Sequence, residues 1–150
     1  MKIKIAVVGC GRIAVKHFDA IKQYEKDLDL VAICDTNQKN LDHYAVDLGV
    51  TGYLSMTDML KNEKLDIVAI CTPSGLHPEQ TILAAEHGVH VITEKPMATR
   101  WKDGLRMVRA CDYAGVRLFV VKQNRKNSTL QLLKRAVTEN RFGNIYMVHI

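Results

Sequence analysis

Short apolar runs alternate with longer segments of mixed polarity along the chain. The apolar runs span five to seven residues and are rich in Val and Ile, which is typical of β-strands. Residues 66–71 are almost entirely apolar, which indicates a central parallel strand covered on both faces. The pattern predicts strands at residues 2–8, 30–34, 66–71, 89–93, 117–121 and 144–150, with a short extended piece near Tyr53.

Between these runs, apolar residues recur at intervals of three and four positions, which predicts amphipathic helices. Asn37 is a suitable N-cap for one helix, and Gly49, Gly88 and Gly115 are suitable residues to end three of them. We predict helices at residues 13–26, 37–48, 58–61, 78–87, 99–114 and 129–140.

Strands separated by helices in this way form right-handed βαβ units. The fold class is therefore α/β, and we expect a Rossmann-type doubly wound parallel sheet in the order 3-2-1-4-5-6 with helices on both faces. We assign residues 1–120 to this domain. Residues 121–150 are expected to be a connection and the first strand of a second, truncated domain.

The composition is that of an ordinary water-exposed globular protein, with 47% hydrophobic and 25% charged residues. The apolar runs are much shorter than the roughly 20 residues that span a bilayer. The first residues, MKIK, lead directly into a predicted strand without an apolar signal stretch. These features predict a cytoplasmic protein with no membrane contact.

Charge is distributed unevenly along the chain. Residues 1–94 carry nine basic and thirteen acidic side chains, whereas residues 95–150 carry twelve basic and three acidic ones. This asymmetry is compatible with an anionic partner, with a solvated basic face, or with a contact to further protein. A nucleic-acid partner is disfavoured because the basic residues form no dense run interleaved with aromatic residues.

Four cysteines are far apart in sequence, and none forms a CxxC pair. Cys10, Cys34 and Cys71 lie at the ends of neighbouring predicted strands, which leaves a cluster of thiols open. We favour the alternative that they are small apolar residues beside a ligand pocket, and we predict no metal site.

The first predicted strand runs into the sequence GCGRIA, which fits GxGxxA and opens the first helix. Gly9 would allow a tight turn, and Gly11 would let backbone amides approach a diphosphate. The N-terminus of the helix favours an anion at the same place. Gly9, Gly11, Arg12 and Ile13 are the candidate cofactor contacts here.

Asp35 ends the second predicted strand, where a carboxylate accepts hydrogen bonds from the ribose hydroxyls of NAD and repels the 2′-phosphate of NADP. NAD is therefore the expected cofactor, although Lys39 keeps NADP open. A tight turn with a capping aspartate, or a site for S-adenosylmethionine, would show the same two features. The second half of the chain argues against S-adenosylmethionine.

Two further motifs follow the fourth and fifth predicted strands: CTPSGLH at residues 71–77 and TEKPM at residues 93–97. Together with the glycine loop they resemble the glucose–fructose oxidoreductase/inositol dehydrogenase (Gfo/Idh/MocA) family, and the similarity covers the whole chain. The resemblance implies that Lys95 lies between nicotinamide and substrate, where it holds the reacting hydroxyl and relays its proton. Pro96 restricts Lys95 to an extended backbone, and the bond between them is a candidate for the cis form.

The same resemblance assigns further residues. It places Glu94 near the nicotinamide ribose, and Thr72 and Pro73 along the dinucleotide groove. His77 either contacts the cofactor or braces the EKP loop, and both roles stay open. His90 is expected to be structural, and no role is assigned to His17, His43 or His87.

The sequence KQNR at residues 122–125 resembles a subgroup of the family, the UDP-N-acetylglucosamine or UDP-N-acetylglucosaminuronate 3-dehydrogenases of surface-polysaccharide synthesis. That likeness places Gln123 near the nicotinamide and implies hydride transfer from a sugar carbon to NAD. Because the family also uses an aspartate and a histidine of a second domain, the 150 residues are expected to bind NAD and turn over slowly or not at all. The full-length protein is expected to be a homo-oligomer. A non-catalytic NAD(P)-binding or redox-sensing module is the alternative.

Overall fold

Six parallel strands form one sheet in the computed structural model, which describes residues 1–149. The strand order is β3-β2-β1-β4-β5-β6, as the sequence predicts. All neighbouring strands pair in parallel, and a register shift interrupts the pairing of β1 with β2 after Ile5. The strands are β1 Ile3–Val8, β2 Leu28–Cys34, β3 Thr51–Tyr53, β4 Ile67–Ile70, β5 His90–Thr93 and β6 Leu118–Val120.

Six α-helices follow the strands at the predicted places, with ends that differ by a few residues. Asn37 caps the second helix by accepting a hydrogen bond from the Lys39 amide, and Gly49 ends it in the left-handed region at φ 67°. A 3-10 helix at Gln123–Lys126 was not predicted. The α-helices are α1 Ala14–Gln23, α2 Gln38–Leu48, α3 Met56–Asn62, α4 His77–Glu86, α5 Trp101–Tyr113 and α6 Ser128–Thr138.

Successive side chains of β1 point to opposite faces of the sheet, and both faces are covered. Ala6 and Val8 pack in a cluster with residues of α3 and α4, whereas Ile5 and Val7 pack in another with residues of α1 and α2. This double burial explains why the central strands are apolar at almost every position. It confirms the doubly wound architecture.

His90 has the structural role that was predicted. Its Nδ1 accepts a hydrogen bond of 3.1 Å from the backbone amide of Arg117, which links β5 to the residue before β6.

The strand predicted for residues 144–150 is not formed within the described part of the chain. Residues 144–149 belong to no helix or strand and are exposed, and Ile150 lies outside the described residues. A strand needs a hydrogen-bonded neighbour, and none of the six strands pairs with this segment. Across residues 1–149, no helix has both the length and the apolar character needed to cross a bilayer.

We expect Ile70→Ala to lower the free energy of unfolding by about 2–5 kcal/mol, because Ile70 is fully buried in the centre of the sheet. Urea unfolding measures the change. The control is Val46→Ala on α2, where the side chain is 83% exposed and a change within about 0.5 kcal/mol is expected. Equal effects of the two substitutions would contradict this description of the core.

Candidate functional site

The loop after β1 passes unusually close to the loop after β4. Gly9 has φ +88°, and a Cβ atom there would lie 2.9 Å from the carbonyl carbon of Cys71 and from the amide nitrogen of Thr72. The Gly9 amide donates a hydrogen bond of 2.7 Å to the carbonyl of Cys34. Only glycine satisfies both the positive φ and the close approach at this position.

Gly11 faces open space, since a Cβ atom there would meet nothing within 4 Å. In the described part of the chain, the backbone amides of Gly11, Arg12 and Ile13 form no hydrogen bond. These free donors directly precede α1, whose N-terminus carries partial positive charge. The donor set therefore fits an anionic diphosphate.

Asp35 ties the glycine loop to the loop after β2. Its carboxylate accepts hydrogen bonds from the amides of Cys10 at 2.7 Å and Asn37 at 2.8 Å, and a longer one from the Asn40 side chain at 3.4 Å. The sequence left open that Asp35 caps the next helix, but the N-cap of α2 is Asn37, and Asp35 instead joins the two loops. A carboxylate has about four acceptor positions, so capacity also remains for the hydroxyls of a ligand.

A cavity of about 320 Å³ opens between these loops at the carboxyl ends of β1, β2 and β4. It brings together five of the predicted residues: Gly9, Gly11, Asp35, Thr72 and Pro73. Six other lining residues were missed from the sequence: Val8, Thr36, Leu54, Met56, Leu76 and Gln80. Leu54 and Met56 follow β3, and their position after a strand end was the signal that could have indicated them.

Glu94 anchors the loop that carries Lys95. The Glu94 side chain is largely buried, and its Oε2 accepts a hydrogen bond of 3.1 Å from the Lys95 amide. Its Oε1 lies 3.0 Å from Nε2 of His17 on α1, a residue to which the sequence assigned no role. The Lys95–Pro96 peptide bond is cis. Lys95 itself is exposed, and it forms no ion pair within residues 1–149.

His77 lies beneath the same loop and is 1% exposed. Its Nδ1 is 3.0 Å from the carbonyl oxygen of Pro96, and its Nε2 is 2.9 Å from that of Thr72. Both ring nitrogens therefore face backbone carbonyl oxygens of this chain. Of the two predicted roles, the geometry favours bracing of the EKP loop over contact with a cofactor.

Gln123 is the first residue of the 3-10 helix after β6 and is exposed. The Val121 amide donates a hydrogen bond of 2.9 Å to the carbonyl of Thr93 at the end of β5. This places the segment that leads to Gln123 at the same edge of the sheet as the loop of Lys95.

The three cysteines near the cavity are buried thiols. Burial raises the pKa of Cys10 to about 12 and that of Cys34 to about 11, with the Asp35 carboxylate contributing to both. Burial, together with the Glu94 carboxylate, raises the pKa of Cys71 to about 12. Protonated thiols are poor nucleophiles and poor metal ligands. Among residues 1–149, no group of three or more His, Cys, Asp or Glu side chains could hold a metal ion.

Residues 3–122 match the family model GFO_IDH_MocA, described as "Oxidoreductase family, NAD-binding Rossmann fold". The chain belongs to this family. Its Rossmann sheet is an NAD-binding domain, and NAD is its cofactor, as the free amides of the glycine loop and the carboxylate of Asp35 led us to expect.

Individual relatives support this assignment. The chain is similar to the WlbA dehydrogenase of Bordetella pertussis, solved in complex with NADH and UDP-GlcNAcA, with 54% identity and a TM-score of 0.93 over 98% of this chain and 45% of that one. It is 33% identical to a D-apiose dehydrogenase of Paraburkholderia graminis over 95% of this chain and 38% of that protein. A D-glucoside 3-dehydrogenase of Escherichia coli is 30% identical over 97% of this chain and 42% of that protein. The chain therefore spans less than half the length of these three relatives.

The two loop glycines lead to a prediction that separates folding from cofactor binding. Gly11→Ala should weaken NADH binding at least about tenfold, because the new methyl group enters the open space that the diphosphate would occupy beside the free amides. The free energy of unfolding should change by less than about 0.5 kcal/mol, since the methyl group meets no protein atom. Calorimetric titration and urea unfolding measure the two quantities.

Gly9→Ala is the matched comparison. It should lower both NADH affinity and stability, because its methyl group meets the backbone of the β4 loop. Unchanged NADH affinity in Gly11→Ala would contradict the expectation that the diphosphate binds at this loop.

Proposed function

We propose that this chain is the NAD-binding part of a dehydrogenase that acts on a sugar hydroxyl, with Lys95 as the catalytic base. The observation that carries the proposal is the placement of Lys95. Lys95 lies at the carboxyl edge of the sheet, on a loop whose backbone contacts the side chains of Glu94 and His77. Its own side chain is exposed and forms no ion pair within residues 1–149.

The cavity residues suit the parts of a dinucleotide. The free amides of Gly11, Arg12 and Ile13 would bind the diphosphate, and Asp35 would accept hydrogen bonds from the ribose hydroxyls.

The cavity also has an apolar wall. The side chains of Leu54, Met56 and Leu76 would pack against a flat ring, with Thr72 and Pro73 on the opposite loop. Bound NAD would accept a hydride from the sugar carbon.

NAD would supply the redox chemistry, and the role proposed for this chain is to transfer the proton of the sugar hydroxyl. The Nζ of Lys95 would hold the sugar hydroxyl by a hydrogen bond and relay its proton as the carbonyl forms. Fixing the start of the side chain limits the volume that Nζ can reach, which favours a reactive orientation. We place Glu94 near the nicotinamide ribose and Gln123 near the nicotinamide.

A UDP-linked amino sugar or uronate, oxidised at C3 for surface-polysaccharide synthesis, is the substrate that we favour. The WlbA dehydrogenase was solved with UDP-GlcNAcA and is 54% identical to this chain. The excess of basic side chains after residue 94 suits a diphosphate-linked substrate.

We further propose that residues 121–150 connect this domain to a second one. Exposed apolar side chains are concentrated there, including Leu132 at 58%, Val137 at 46% and Phe142 at 56%. Such side chains are typically covered by further protein, and the relatives are more than twice as long. A homo-oligomeric, cytoplasmic full-length protein stays a prediction.

Lys95→Met in the full-length protein should reduce sugar-dependent NADH formation by about 10²–10⁴-fold, because the proton acceptor is lost. NADH affinity should change by less than about threefold, since Lys95 is not required to bind the dinucleotide. Lys102→Met, at an exposed position on α5, is the control and should leave both quantities unchanged. Near-normal turnover by Lys95→Met would remove the lysine from the mechanism and favour a non-catalytic module.

Asp35→Asn should weaken NAD binding at least about tenfold and reduce the preference for NAD over NADP, because one acceptor oxygen and the negative charge are lost. Titration with both cofactors measures the preference. The control is Asp42→Asn on α2, since Asp42 is exposed and its carboxylate accepts a hydrogen bond from a side chain. An unchanged ratio of the two affinities would contradict the ribose-binding role.

A further inference from the structure

Helix α1 turns one polar residue toward the core. Ala14, Phe18 and Ile21 are buried on its inner face, at positions that share one side of a helix. His17, three residues after Ala14, belongs to the same side, and its side chain is only 17% exposed. A histidine on an otherwise apolar face needs a polar partner, because burial of an unpaired ring nitrogen is unfavourable.

That partner is Glu94, which is 77 residues away in sequence. A carboxylate only accepts, so Nε2 of His17 carries the hydrogen and donates it to Oε1 across 3.0 Å. The other oxygen of the same carboxylate accepts from the Lys95 amide at 3.1 Å. The Glu94 amide is itself bound to the carbonyl of Ile70 at 3.0 Å, so only the side chain of Glu94 has freedom to move.

We propose that His17 is a positioning residue for the catalytic lysine: it orients the Glu94 carboxylate, which in turn holds the Lys95 backbone. The inference rests on the proposed role of Lys95. It also connects two parts of the site, since α1 begins directly after the glycine loop.

The Glu94 carboxylate is only 9% exposed, so each of its oxygens requires a hydrogen-bond donor from the protein. Without His17, the Glu94 Oε1 has no donor within the described residues. Rotation of the Glu94 side chain toward water would then be favourable, because water would supply the missing hydrogen bond. The Lys95 amide would then lose its acceptor, and the point from which the lysine side chain starts would shift. A displacement of about 1 Å at a reacting group can reduce turnover by about 100-fold.

His77 does not replace this contact. It binds the carbonyl of Pro96, one residue beyond the lysine, and it reaches the loop from α4. The loop is therefore held by α1 and by α4. Only the hydrogen bonds from His17 through Glu94 reach Lys95 itself.

The test compares His17→Leu, His17→Asn and His17→Gln in the full-length protein. The Gln side chain places an amide donor near the position of Nε2, whereas the Asn donor is too short to reach Glu94 and Leu has none. We expect kcat to fall about 10- to 100-fold in the Leu and Asn variants and to recover to within about threefold in the Gln variant. The KM for the sugar and the affinity for NADH should stay within about threefold throughout.

His43→Leu is the matched control, because His43 is an exposed helix histidine with no place in the site. Its kcat should equal that of the wild type. The polar Asn variant keeps the comparison informative if the Leu variant folds poorly.

A second readout does not require turnover. Hydrogen exchange of the Lys95 amide, followed by NMR in the NADH-bound protein, should be faster in the Leu and Asn variants than in the wild type, the Gln variant and the control. Unchanged exchange and kcat in His17→Leu would overturn the inference. So would equal losses in all three variants that track their thermal stability, since that result indicates packing alone.

Failure of the proposed function gives a different result. A wild-type protein that binds NADH but turns over no sugar would refute the catalytic role of Lys95, and with it the catalytic part of this inference. The exchange rates would still show whether His17 holds the loop.

Discussion

Parallel hydrogen bonding of β1 to β2 on one side and to β4 on the other is the constraint on which the rest of the molecule depends. It places the strand order reversal in the centre of the sheet. The helices after β1 and β4 leave toward opposite faces, so their loops separate and open a crevice. Every candidate cofactor residue follows the carboxyl end of one of the six strands of this sheet.

Polar contacts then fix the loops to one another. Asp35 holds the glycine loop, His77 connects the loops after β4 and β5, and Glu94 connects the latter to α1. Each contact satisfies groups that are wholly or partly buried, which would be unfavourable if left unpaired. The edge of the sheet is therefore organised before a ligand binds, and preorganisation of this kind reduces the ordering that binding and reaction require.

The arrangement also explains how one lysine can be exposed and well placed at the same time. Its backbone is held by Glu94, and the next carbonyl is held by His77, while the side chain remains free to meet a substrate. Such a division suits the proton transfer that we propose for Lys95. The nearby thiols, whose pKa values are raised by burial, do not compete for that proton near neutral pH.

The sequence by itself determined most of the elements and the strand order, and it indicated Gly9, Gly11, Asp35 and Lys95 as candidate site residues at strand ends. These depend on local periodicity and on short motifs at strand ends, which a single stretch of chain specifies. Only the tertiary structure decided the partners of His17 and His77, and it revealed the apolar wall that includes Leu54 and Met56. Those contacts join residues far apart in the chain, so they depend on how strands pair and helices pack. The same reason explains residues 144–149, where the pattern of a strand is present but none of the strands within residues 1–149 pairs with it.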